Sequence, residues 1–258
     1  RLTFGIGCGV AGVAGSAFTM IGSTGPTAGQ LYIVDTFLVV VFGGAASLLG
    51  TIASAFSISQ AQSIMEFFLS GSMAKVLTLL VVVGILMIRP QGLVAILAVI
   101  IFLVLPSILD SFRLNLFGKY LTYAFVAIGL ALCWGAGGIL SLGQGVFFGL
   151  GGYCMAMFLK LEASTPENTA SQSTPGIPDF MDWNQLTELP VWWQPFYSLP
   201  LALIAVVLVP VFFAFVIGFA MFTRRVGGVY FAIITQAFAA ILTILIIGQQ
   251  GNTGGVNG

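Results

Sequence analysis

Long apolar runs separated by short polar turns dominate the chain. A helix needs about 20 apolar residues to cross the roughly 30 Å hydrocarbon core of a bilayer. Runs of that kind occupy 2–22, 45–68, 72–88, 93–109, 116–135, 139–160, 197–222 and 227–249. A shorter apolar piece, 31–43, ends at Gly43-Gly44 and reads as half of a broken helix. The pattern predicts an all-α, polytopic transmembrane helical bundle of about eight full spans plus that short broken helix.

The few charges orient the spans. Arg89 ends one apolar run and Arg224-Arg225 separate two others, so the positive-inside rule puts both clusters on the cytoplasmic side. Five of the eight acids, Glu162, Glu167, Asp179, Asp182 and Glu188, fall in the polar loop 161–196, which is expected to face outside. Trp183, Trp192, Trp193 and Tyr197 in or beside that loop suit the membrane–water boundary, where an aromatic ring can be half wet. From residue 89 onward the crossings alternate consistently. Ahead of it, Arg1 and Arg89 share a side only if 31–43 counts as a short crossing.

Composition agrees with lipid as the solvent. The chain has 258 residues, 59% of them hydrophobic and only 6% charged, against about 25% charged in an ordinary soluble domain. Eight basic and eight acidic residues cancel, which argues against a nucleic-acid partner and leaves membrane lipid as the surrounding medium. Histidine is absent, which removes the usual proton shuttle and the commonest metal ligand. Cys8, Cys133 and Cys154 lie in apolar stretches without a Cys-x-x-Cys pair and read as small hydrophobes inside helices. No paired carboxylates, Ser/His/Asp set or metal cluster can be assembled, so neither an enzyme nor a cofactor is expected. The chain opens at Arg1 and closes in a Gly/Asn run, and reads as an internal fragment or as a join between two pieces.

Glycine motifs carry most of the local information. Gly7-x-Gly9-x-x-Gly12 matches a dinucleotide fingerprint in letters, but no strand precedes it. Gly5, Gly9, Gly12 and Gly15 read instead as a smooth stripe for a neighbouring helix. Two longer segments, Val39 to Thr51 and Gly138 to Tyr153, set a glycine-rich interruption inside apolar sequence. Irregular backbone at membrane depth survives only where it is buried in protein or lines a watery cavity. Close helix packing explains any single glycine, whereas the segments as units read as places where a transporter exposes polar groups to its substrate. Ser141, Gln144, Thr235 and Gln236, with backbone around Gly43 and Gly44, are the candidate substrate-path groups. Asp35, the one carboxylate inside an apolar run, reads either as a functional intramembrane acid or as an interfacial cap. Gln60 and Gln62 are expected to hydrogen-bond across helices.

From Gly118, GKYLTYAFVAIGLALCWGAGGILSLGQGVFFGLGGYCMAMFL resembles the N-terminal half of the second permease of bacterial urea ABC transporters, within the branched-chain amino-acid permease family. The loop PDFMDWNQLTELPVWWQPF, the span GGVYFAIITQA and the end GNTGGVNG resemble the same branch. GCGVAGVAGSAF, GPTAGQLYIVDTFLVVVFGGAASLLGT and RPQGL resemble instead the C-terminal part of the first urea permease. The resemblance therefore divides the chain at the turn Arg89-Pro90-Gln91-Gly92, into 1–92 and 93–258.

What the resemblance implies is a permease component of an ATP-driven importer, most simply for urea, in the bacterial inner membrane. The implied partners are a partner permease subunit, cytoplasmic ATPase subunits and a periplasmic substrate-binding protein. Neither cytoplasmic ATPase-docking loop of the family is matched, so an inactive fused fragment stands as one alternative. Branched-chain amino-acid import by the same architecture is another. An ion-coupled carrier would need buried carboxylates, for which Asp35 is thin support.

Overall fold

A computed structural model describes residues 2–22, 25, 27–44, 47–68, 73, 76–78, 80–81 and 111–255. The expected span 93–109, the turn at Arg89–Gly92 and the division near residue 92 lie outside those residues, as does the expected span 72–88 apart from 73, 76–78 and 80–81. The described residues form helices and turns and no strand. In chain order the helices are α1 (Leu2–Ile21), α2 (Ala28–Gly43), α3 (Leu48–Phe68), α4 (Ser111–Ala131), α5 (Gln144–Ala163), α6 (Asp179–Trp183), α7 (Leu199–Thr223), α8 (Val229–Gly248) and α9 (Gln250–Thr253). A π segment, Leu132–Ala136, extends α4, and a 3-10 segment, Val191–Tyr197, precedes α7.

Among the described residues four helices, α1, α5, α7 and α8, are long and apolar enough to cross a membrane. Two shorter apolar stretches, Tyr32–Gly43 and Leu121–Gly135, accompany them. The outward faces of α7 and α8 are large hydrophobes: Phe212, Phe215, Phe219, Ile244 and Leu245 are all exposed. Water would penalise an apolar face that wide, and acyl chains do not.

Two boundaries differ from the sequence pattern. The run 139–160 is a single span displaced along the chain, because residues 137–143 are non-helical and α5 runs from Gln144 to Ala163. The helix ahead of it ends through widened turns: Gly137 N bonds Leu132 O at 3.2 Å, and Ile139 N bonds Cys133 O at 3.0 Å. Gly138 takes φ 65°, a conformation that costs glycine little and stops the helix. The short piece 31–43 is longer than expected, running from Ala28 to a turn at Gly44, and α3 then folds back along it.

Glycines set how closely the helices approach. A side chain at Gly15 would run into the backbone of Phe148 and Gly152 on α5, and one at Gly12 would meet Pro210 of α7 at 2.6 Å. Gly7 lies against the backbone of Gly129 on α4. Gly5 meets nothing within 4 Å, so the packing surface runs through Gly7, Gly12 and Gly15 rather than starting at Gly5 as the sequence stripe suggests. Pro200 sits in the first turn of α7, where Ser198 caps it by accepting from Leu201 N, and Pro210 inside the helix is buried against α1.

The acidic loop is a folded cap. Leu161, Ile177, Phe180, Met181 and Trp193 form its own small core. Asp182 accepts from the backbone N–H groups of Ser173 and Thr174, and Lys160 pairs with Asp179 at 3.1 Å. Trp193 is not an interfacial ring: it is 2% exposed and donates its indole N–H to Asn252 O at 3.0 Å. Trp183, Trp192 and Tyr197 are the exposed aromatics of the cap.

Candidate functional site

The break before α5 brings three of the expected residues together. Ser141 and Gln144 have no exposed surface, and Thr235 on α8 is 2% exposed. Gly143 N donates to Thr235 Oγ1 at 3.3 Å, while that hydroxyl faces Phe231 O at 3.0 Å and Ala232 O at 2.9 Å on its own helix. Gln144 Oε1 lies 3.9 Å from the thiol of Cys8 on α1. Ser141 Oγ and Gln144 Nε2 are buried with no hydrogen-bond partner among the described residues.

The depth of this cluster follows from its contacts. Thr235 lies six residues beyond the start of α8. At 1.5 Å per residue it stands about 9 Å in from that helix end. The N-terminus of α5 therefore lies against α1 and within the length of α8. The first amides of a helix have no partners inside it and carry the positive end of its dipole.

The remaining expected residues sit elsewhere. Gln236 follows Thr235 on α8 and is half-buried. Gly43 and Gly44 form the α2–α3 turn, where Gly43 packs on the backbone of Gly50 and Thr51 and Gly44 takes φ 81°. Asp35 is half-buried on α2, between Tyr32, which stacks on Tyr123 at 4.4 Å, and Phe37, which stacks on Trp134 at 5.5 Å. Gln62 Nε2 donates to Glu66 Oε1 on α3 itself at 3.0 Å. Gln60 is 2% exposed, and neither of its amide atoms has a partner among the described residues.

Sequence reasoning missed Cys8 and Gly129 as neighbours of Gln144. Gln144 Nε2 lies 3.3 Å from where a Gly129 side chain would begin, so the missing side chain makes room for the amide. No local signal announces a contact between positions this far apart in sequence. Among the described residues no group of three or more His, Cys, Asp and Glu could hold a metal ion.

Residues 112–258 match the family described as the permease component of the branched-chain amino acid transport system. The chain belongs to that family. No curated protein and no solved structure matches it. The branched-chain amino acid permease components are membrane parts of ABC-type transporters rather than enzymes, and the apolar helices make this chain a multi-pass membrane protein.

Proposed function

We propose that the chain forms part of the translocation path of an ATP-driven importer in the bacterial inner membrane, with urea as its solute. The observation that carries this reading is the pair Ser141 and Gln144, fully buried beside the start of α5 with Ser141 Oγ and Gln144 Nε2 unsatisfied among the described residues. Leaving a buried polar group unpaired costs about 1–3 kcal/mol. Two such groups at one place suit a passing solute that completes their hydrogen bonds.

Urea fits the chemistry. It is neutral, with one carbonyl acceptor and two amide-like donors, and its passage calls for hydrogen-bonding groups without strong charge. Thr235 and Gln236 extend the path along α8, and Gly43, Gly44 and Asp35 supply its second wall in this proposal. Residues 1–92 and 93–258 are the parts of two urea permeases, and about eight spans cross the bilayer. The partners are a second permease, cytoplasmic ATPase subunits and a periplasmic binding protein that meets the acidic cap.

One observation favours a second solute. The start of α5 within the bundle offers the positive end of a helix dipole, which suits the carboxylate of a branched-chain amino acid. Against it, the mid-span stretches of the second part hold no acid for the ammonium group.

Uptake by the complete transporter separates the readings. Accumulation of labelled urea that stops on ATP depletion, survives collapse of ion gradients and ignores excess leucine supports the proposal. Competition by leucine favours the amino-acid reading. Uptake driven by an ion gradient overturns the importer, and failure to move either solute leaves an inactive fused fragment.

A further inference from the structure

An open groove of about 800 Å³ runs between α1, α4 and α7, and every residue that lines it is apolar. The two long walls are antiparallel, with the Phe4 ring against Phe222 and Gly9 beside Val211. One wall runs from Leu2 to Val13 and the other from Val207 to Phe222, which at 1.5 Å per residue is about 16 and 22 Å. That is close to one leaflet, half of the roughly 30 Å hydrocarbon core. Gly5 keeps the groove open: among the described residues nothing lies within 4 Å of where its Cβ would be. Arg224 and Arg225 follow directly after the Phe222 end of the groove, at the close of α7. Both are exposed, and neither has an ion-pair partner among the described residues. Arg225 takes φ 55° as Val226 N returns to Met221 O at 3.0 Å, a left-handed turn that glycine would make at lower cost.

We propose that this groove binds an anionic phospholipid, with one acyl chain between α1 and α7 and the headgroup phosphate on Arg224 and Arg225. An acyl chain has no polar atom to satisfy, so an all-apolar wall suits it, and a groove one leaflet long matches its reach. Charge decides between a lipid and a helix from a neighbouring subunit as the occupant. A helix would cover the apolar wall but bring no anion to the arginines, whereas a phospholipid carries chain and phosphate together. Guanidinium groups hold phosphate through paired N–H donors, and basic pockets between membrane helices hold anionic headgroups. A zwitterionic lipid offers the same phosphate with an ammonium beside it, which two arginines repel. Such a site needs only the membrane setting and is independent of which solute the chain carries.

Native mass spectrometry of the complete transporter, titrated with phosphatidylglycerol or with phosphatidylcholine of the same chains, tests the site. Phosphatidylglycerol is expected to bind on the order of tenfold more tightly than phosphatidylcholine. Arg224→Gln and Arg225→Gln together should bring it down to the level of phosphatidylcholine. Gly5→Leu puts a side chain into the groove and should weaken both lipids. On the unsubstituted transporter, phosphatidylglycerol with a photoactivatable group in its acyl chain should cross-link within 2–13 and 207–222, a readout that does not depend on a variant folding. Equal affinity for the two lipids, or phosphatidylglycerol affinity untouched by the arginine pair or by Gly5→Leu, would overturn the proposal. So would cross-links absent from both segments, the result if a helix fills the groove instead.

Discussion

The backbone N–H of Gly143 is held by the hydroxyl of Thr235 at 3.3 Å, a bond that joins the turn ahead of α5 to a helix 92 positions further along the chain. It fixes where α5 begins, and so where Gln144 stands. The same hydroxyl faces Phe231 O and Ala232 O, so one oxygen both receives from the turn and gives to its own helix.

Replacing that hydroxyl isolates its worth. Thr235→Val keeps the shape but leaves the Gly143 N–H buried and unpaired, at an expected cost of about 1–3 kcal/mol. Thr235→Ser keeps the oxygen and is expected to cost clearly less. Unfolding of the detergent-solubilised transporter measures both, and equal stabilities would show that the bond contributes nothing.

Gly15 and Gly5 form a matched pair for packing. At Gly15 an added Cβ meets backbone of α5, which cannot rotate away, whereas at Gly5 it meets nothing within 4 Å. Gly15→Ala is expected to destabilise the α1–α5 contact by about 1–3 kcal/mol, the usual range for overpacking. Gly5→Ala should stay within about 0.5 kcal/mol of wild type. The same unfolding measurement compares them.

Much of this architecture is legible along the chain because lipid enforces a simple code. Apolar length alone anticipates α1, α7 and α8 to within about two residues. The glycine-rich interruption after Gly138 is also visible, but not that residues 137–143 leave the helix altogether, since that depends on the π turn closing from Leu132. Ser141 and Gln144 stand out as polar letters in apolar text. Their meeting with Thr235 and Cys8 does not, because those contacts arise only when α1, α5 and α8 assemble. Trp193 misleads for the opposite reason. Its composition fits a membrane interface, yet Phe180 and Asn252 enclose it.

Trp193 is therefore expected to hold the outer cap together. Trp193→Ala removes a buried ring and its bond to Asn252 O, and should loosen the cap by about 3–5 kcal/mol. Trp183, 69% exposed, offers the comparison, and Trp183→Ala should lie within about 0.5 kcal/mol of wild type. Limited proteolysis within 164–198 reads the difference: faster cleavage in Trp193→Ala alone is the expected pattern.

The bilayer reading places the two ends of α7 on opposite faces of the membrane. Glu167 precedes that helix in the exposed cap, and Arg225 follows it. In sealed vesicles, a membrane-impermeant thiol reagent should label Glu167→Cys from one side only and Arg225→Cys from the other only. Labelling of both from the same side would show that α7 does not cross.

The most direct measurement is labelled-urea uptake by the complete transporter carrying Gln144→Leu. Leucine preserves the bulk and removes the unpaired Nε2, giving up only the weak 3.9 Å contact of Oε1 with the Cys8 thiol, so little net cost is expected. Stability should therefore hold while uptake falls by about tenfold or more, equivalent to ~1.4 kcal/mol or more of lost solute stabilisation. A stable Gln144→Leu transporter that carries urea at the wild-type rate would contradict a route past the start of α5.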